Sequence, residues 1–367
     1  MIYKYIFRTI YSLVVLISVL TPGAYGIERL AEAEDPIMET LKKIFPDVDF
    51  GDEDKHNKNA NNAHSSDTQE LNSGLPSNRA QQQTMTHRRN AMLVRATNGT
   101  ILLYPFHGGG FEEGKTVASG WDFTHYVIGD WNNDQISDVI ARTREGHLKL
   151  YLFQGQHFDE GQQVGSSWGY SHYFAADWSG NGVFDLIARK EEGNLYFLPF
   201  KHGTFQEQRE VGQNWHFTHY FAGHWSDNGS ADLLVRTQQA NLILYRFDRG
   251  QFQAGKQVGE GWHFTHYFPM DWDGDQIFDL VVRNKAGDLL LYPFRRHSFR
   301  SGRTVARDWF FTHYFPGDWD GDGIADMMVR NKAGDLILYP FRNERFQKHR
   351  TVGTDWHFTH YQPFKNR

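Results

Sequence analysis

The chain has 367 residues, a formal net charge of −6 and no cysteine. That balance gives no basis for nucleic-acid binding, and the missing thiols exclude disulfides and thiolate metal sites. The aromatic content of 16% is high and asks for a location in the fold.

In chain order, residues 1–26 read as a secretory signal peptide. Lys4 and Arg8 give a basic start, LVVLISVL (13–20) an apolar core too short to span a bilayer comfortably, and AYG (24–26) a small-x-small cleavage site. The mature protein is therefore expected to be secreted, with no membrane insertion after signal removal. Residues 27–47 carry a short amphipathic helix segment. Asp35 and Pro36 suit a helix start, Ile37, Leu41, Ile44 and Phe45 form an apolar stripe, and Pro46 ends it. Residues 48–90 are polar, amide-rich and nearly free of large apolar side chains. Such a segment cannot bury enough surface to offset its ordering entropy, and it reads as a disordered linker.

From residue 91 the sequence repeats itself. Trp121, Trp168, Trp215, Trp262, Trp309 and Trp356 each open a W-x-[FY]-[TS]-H-Y motif, and consecutive members are 47 residues apart. A fixed period of this size marks a solenoid or propeller. Each unit holds four strand-like pieces, as in FFTHYFPGDW, DMMVR, GDLILYPF and RFQKHRTVG, separated by Gly, Asp and Asn turns. The second piece occurs six times, from MLVR (92–95) to MMVR (327–330). The N-terminal unit lacks a first piece, whereas the C-terminal WHFTHYQPF (356–364) has nothing after it. One unit is thus split across the ends, and pairing them removes the exposed edges of an open array. The expected fold is all-β: a monomeric six-bladed β-propeller over 91–367, built of 47-residue four-stranded repeats and closed by the C-terminal strand pairing with the N-terminal blade.

The loop between the first and second pieces is acidic. In DWDGDGIAD, Asp318, Asp320, Asp322 and Asp326 fall within nine residues. Calcium takes oxygen ligands from alternate positions of such a tight loop, although the Glu that closes an EF-hand is missing. The candidate calcium ligands are these four residues, then Asp271, Asp273, Asp275 and Asp279, and then Asp130, Asn132, Asp134 and Asp138. The loop at 177–185 is thinner, and 224–232 starts with His224 and keeps only Asp232 of the pattern. The metal would clamp the turn, a structural role. Asx-turn hydrogen bonding without metal is the competing account of these aspartates.

The opposite face of the disc carries the six Trp of the repeated motif together with Arg95, Arg142, Arg189, Arg236, Arg283 and Arg330, one at the end of each second piece. An aromatic plate beside a guanidinium suits a sugar, whose C–H face stacks while its hydroxyls accept hydrogen bonds. Packing between blades is the plainer role for the same residues. The repeated His125, His172, His219, His266, His313 and His360 read as hydrogen-bonded interior residues. No nucleophile–base pair, phosphate loop or zinc-type spacing departs from the repeat, so no catalytic residue is assigned and no enzyme is expected.

The stretch GDWDGDGIADMMVRNKAGDLILYPF resembles the FG-GAP or VCBS class of propeller repeat, also found in the heads of integrin alpha chains. The 47-residue period and repeated Trp are also similar to tachylectin-like lectin propellers. The resemblance implies a propeller with calcium loops that serves adhesion or sugar binding. The expected function is a secreted, non-enzymatic, multivalent carbohydrate-binding protein with structural calcium, recognising glycans or cell-surface glycoproteins. A protein-binding adhesion scaffold of the integrin-head kind is the alternative.

Overall fold

The computed structural model describes residues 89–166 and 168–366. The expected signal peptide, short helix and nearly all of the expected linker lie outside the described residues. Within them all regular secondary structure is β-strand, and no helix is long and apolar enough to cross a membrane.

Six antiparallel sheets follow one another along the chain, each a blade. Blade 2 shows the plan: His125–Gly129, Asp138–Arg142, Leu148–Tyr151 and Gln162–Gly165 pair in that order. Blades 3 to 6 repeat it, with second strands at Asp185–Arg189, Asp232–Arg236, Asp279–Arg283 and Asp326–Arg330. These second strands are buried on both faces, because each blade is covered by a neighbour on either side. Leu280, Val281 and Val282 are fully buried, which is why the strand reads as an unbroken apolar run.

The fourth expected piece divides in two. In blade 6, Phe341–Arg342 and Arg345–Phe346 form a small hairpin, and Arg350–Gly353 alone pairs with the third strand. The hairpin turns through Asn343 and Glu344 at φ 50° and 61°, a left-handed pair of the kind that tight two-residue turns require. The same hairpin recurs in blade 5 as Phe294–Arg295 and Ser298–Phe299.

Blade 1 is the split one. His360–Asn366 pairs along its whole length with Arg89–Arg95, from Arg89 opposite Asn366 to Arg95 opposite His360. The pairing begins two residues before the expected start at 91. The first strands line the centre, where each repeated His packs on the Tyr that ends the next blade's motif. His125–Tyr173, His172–Tyr220, His219–Tyr267, His266–Tyr314, His313–Tyr361 and His360–Tyr126 complete the circle at centroid distances of 5.0–6.2 Å.

Two sets of aromatic wedges fill the junctions between blades. On the acidic-loop side, Trp131, Trp178, Trp225, Trp272 and Trp319 are at most 4% exposed, and each meets a Phe of the following blade edge-on at 5.3–5.7 Å. On the other side stand the Trp of the repeated motif. The 11 Trp are thereby accounted for, and the aromatic excess is inter-blade packing. The loops also link to one another through the backbone. Phe184, Ala231, Phe278 and Ala325 donate their N–H to the carbonyls of Asp130, Asp177, His224 and Asp271 in the preceding loop, and Ser137 donates to Lys365.

Candidate functional site

Each acidic loop begins where a first strand ends and returns where a second strand begins. Its backbone N–H groups bond to its own carboxylates. In blade 6, Gly321 and Gly323 donate to Asp318 Oδ1 and Oδ2 at 2.8 and 3.1 Å, and Ile324 donates to Asp322 at 3.0 Å. This folds the aspartates inward. One oxygen each from Asp271, Asp273 and Asp275 lies within 4.8 Å of the others, as for Asp318, Asp320 and Asp326. Among the described residues the 130–138 loop brings no three carboxylates this close, and the amide of Asn132 donates to Asp134 at 3.1 Å.

The last aspartate of the pattern has a distinct job. Asp138, Asp185, Asp232, Asp279 and Asp326 are fully buried. Each accepts the backbone N–H of the Phe that opens the small hairpin or its equivalent, at 2.7–2.9 Å. The second oxygen accepts from the loop itself, as from Trp319 N–H at 3.0 Å or Ser226 Oγ–H at 2.6 Å. These carboxylates brace the loop to the start of the hairpin, just beyond the third strand. Burial pushes Asp138, Asp279 and Asp326 up to about 7 and raises Asp185 and Asp232. The brace explains why Asp185 and Asp232 persist in loops that have lost other acidic positions.

A cation already lies at the two richest loops. Arg342 reaches from the hairpin of blade 6, with Nη2 at 2.7 Å from Asp320 and Nε at 2.8 Å from Asp322. Arg295 does the same in blade 5, contacting Asp273, Asp275 at 2.8 Å and Asp279 at 3.3 Å. The hard oxygen donors fit a divalent ion in kind and spacing, and the guanidinium is its competitor. The equivalent position after the hairpin Phe is Asp248 in blade 4, whose loop keeps only Asp232 of the pattern, Gln154 in blade 2 and Lys201 in blade 3. The full acidic loops and the arginines go together. This pairing was missed on sequence, although the basic residue 16 positions beyond the last aspartate could have been found by aligning units.

The opposite face gathers the six Trp and six Arg, as their spacing implied. The Trp rings are buried, however: they are 5–9% exposed. Trp121, Trp215, Trp262, Trp309 and Trp356 each lie 4.4–4.6 Å from a third-strand Tyr of the next blade and 4.7–5.1 Å from its hairpin Phe. Trp168 meets Phe205 at 4.9 Å, but Leu198 stands in the Tyr position. Arg142, Arg189, Arg236, Arg283 and Arg330 each donate Nε–H to the carbonyl of the Trp that follows their own blade, at 2.5–2.9 Å. Arg95 Nε makes no such bond. The guanidiniums thus hold the Trp loops, with part of each left over. Each repeated His bonds through Nδ1 to the preceding Ser or Thr hydroxyl, and burial followed by the neighbouring Arg lowers its pKa.

At three junctions the exposed residue after the Trp caps the Arg from outside. His216 Nδ1 lies 3.0 Å from Arg189, His357 Nδ1 lies 2.9 Å from Arg330, and Phe310 covers Arg283 at 4.5 Å. Phe310, at 60%, is the one large hydrophobic side chain that the described residues leave exposed.

Closed ring and four-stranded blades define a six-bladed β-propeller. Residues 130–188 match the FG-GAP-like repeat. No curated relative matches the chain at the level of sequence. Among solved structures it is similar to an Agrocybe aegerita lectin described as recognising non-reducing terminal N-acetylglucosamine, with TM-score 0.57, 18% identity, and coverage of 77% of this chain and 86% of that one. AofleA from Arthrobotrys oligospora gives TM-score 0.48 at 10% identity, covering 76% and 90%. AztD from Citrobacter koseri gives 0.42 at 8% identity, covering 73% and 82%.

Proposed function

We propose that this protein is a secreted, non-enzymatic carbohydrate-binding propeller that recognises glycans or cell-surface glycoproteins through its Trp and Arg face. One observation carries the reading: at the mouths of three junctions an exposed planar ring lies against a guanidinium, as with Phe310 over Arg283. A flat ring for the C–H face of a sugar, beside fixed donors for its hydroxyls, is a chemistry suited to this ligand class. The sharing of a lectin fold supports it, and the name of that lectin makes terminal N-acetylglucosamine a sugar to test first. Secretion rests on the reading of residues 1–26.

The same proposal gives calcium a structural part. Asp271, Asp273 and Asp275, and likewise Asp318, Asp320 and Asp326, would hold the ion, with Arg295 and Arg342 moving off their carboxylates. The ion would supply charge neutralisation and a fixed turn.

The test is a glycan array with the full chain, in calcium and in chelator. Binding to a defined terminal sugar in either condition is expected. Absence of binding in both would overturn the carbohydrate reading and favour the protein-binding alternative.

A further inference from the structure

The junction between blades 2 and 3 breaks the repeat at several positions at once. Where five junctions place a Tyr (Tyr104, Tyr151, Tyr245, Tyr292 and Tyr339) against the buried Trp, blade 3 has Leu198. Four blades place a Gly under that Tyr, where a Cβ would come within 2.5 Å of its ring; blade 3 has Gln208 instead. After the Trp stands Gly169, which contributes no ring, and then Tyr170 in place of Phe. These changes are complementary. Loss of the Tyr vacates the space beside Trp168, and loss of the Gly lets a polar side chain enter it.

The outcome is a cleft of about 530 Å³ lined by Trp168, Tyr170, Lys190, Leu198, Gln206 and Gln208 among others. This lies within the roughly 300–1,000 Å³ range of small-ligand clefts. Its polar groups are held in place. Tyr170 donates its hydroxyl to Gln208 Oε1, and Gln206 anchors its amide on the carbonyls of Lys201 and Thr204 at 3.2 Å. Lys190 lies over the Tyr196 ring at 4.8 Å. No carboxylate lines the cleft.

We propose that this cleft is a single sugar site, distinct from the five junctions closed by tyrosine, and that it takes a neutral pyranose stacked beside Trp168 and hydrogen-bonded by Tyr170, Gln206 and Gln208. The inference rests on the carbohydrate reading and moves its site from the ring-capped guanidiniums to this junction, where Gly169 supplies no ring: six-fold sequence symmetry yields one asymmetric site, so the chain is monovalent for this ligand. Amide and phenol groups match hydroxyls in both directions, and the indole matches the apolar ring face.

The decisive variant restores the repeat: Leu198→Tyr with Gln208→Gly. The full chain and this variant are titrated with methyl pyranosides of the neutral hexoses and N-acetylhexosamines, with binding read by ligand-observed NMR. The parent is expected to bind one of them, and the variant to lose at least ten-fold in affinity while melting at or above the parent's temperature. Calorimetry on the parent gives a second readout, with one sugar per chain expected. Undiminished binding by the folded variant, or several equivalent sites per chain, would overturn the single-cleft inference and leave the carbohydrate reading intact. A parent that binds no pyranoside yet binds glycans on an array would do the same. A parent that binds nothing on the array would overturn both.

Discussion

Asp232 Oδ1 accepts the backbone N–H of Phe247 at 2.9 Å, in the very loop that has lost its other acidic positions. Its role is therefore independent of any metal. Asp232→Ala would leave the Phe247 N–H and the Ser226 hydroxyl buried without an acceptor, at a cost of about 1–3 kcal/mol for each group so stranded. For a domain of this size 1 kcal/mol corresponds to about 2–4 °C in Tm. Asp232→Asn keeps an acceptor for Phe247 and can donate to Ser226, so its loss should be about 1 kcal/mol or less. Equal destabilisation by Ala and Asn, measured by thermal unfolding, would show that charge rather than hydrogen-bond acceptance is required.

Arg295 and Arg342 hold the oxygens that the proposed calcium ions would need, so guanidinium and ion would compete for them. Replacing both by Gln should lower Tm in chelator, since the clustered carboxylates lose the guanidiniums paired with them, and should enlarge the gain in Tm on adding calcium. Thermal scans of parent and variant with and without calcium decide this. An identical calcium response in the two proteins would remove the arginines from the account. Loss of the response in Asp273→Ala with Asp320→Ala would place the ion in these loops.

The six central histidines give the fold a pH dependence of known sign. Their folded pKa values lie below the unfolded reference of about 6.5, so the unfolded chain binds more protons as pH falls through that reference. Stability from this source is fully present above it and is lost on acidification, down to the folded values. Asp138, Asp279 and Asp326 act in the opposite direction, losing stability as pH rises from about 4 to about 7. The two effects separate by mutation. His219 faces Thr218, Arg236 and Tyr267, and His266 faces Thr265, Arg283 and Tyr314. Changing both to Asn should flatten the fall in Tm between pH 7 and pH 5 relative to the parent; parallel curves would refute this.

Deleting residues 354–367 removes Trp356 and the strand that covers Arg89–Arg95. The first blade would then present an open edge, and the circle of His–Tyr contacts would be cut at Tyr361 and His360. Loss of cooperative unfolding and a tendency to associate are expected. A truncated chain with the parent's melting curve would overturn closure as the source of stability.

The fold was legible because its strongest signal is arithmetic. Six Trp at one spacing, with a strand missing at one end and present at the other, leave little freedom in blade number. The sites were less legible because one spacing serves two purposes. Asp279 and Asp326 occupy a position that fits a metal loop, yet they brace the start of the hairpin. Arg295 and Arg342 act from a hairpin well beyond the loop, where a basic residue looks like surface. Leu198 looks like any strand residue until it is set against the Tyr of the other units.

Arg89 faces Asn366 across the closing sheet, and Lys365 is bonded to Ser137 of the adjacent acidic loop. Both ends of the folded chain therefore leave side by side, from the acidic-loop face and away from Trp168. A tether at either end would present the Trp-bearing face outward, which suits attachment to a support. Joining the two ends and reopening the chain at another junction should yield a circular permutant with the same blades, its seam moved to wherever the cut is made.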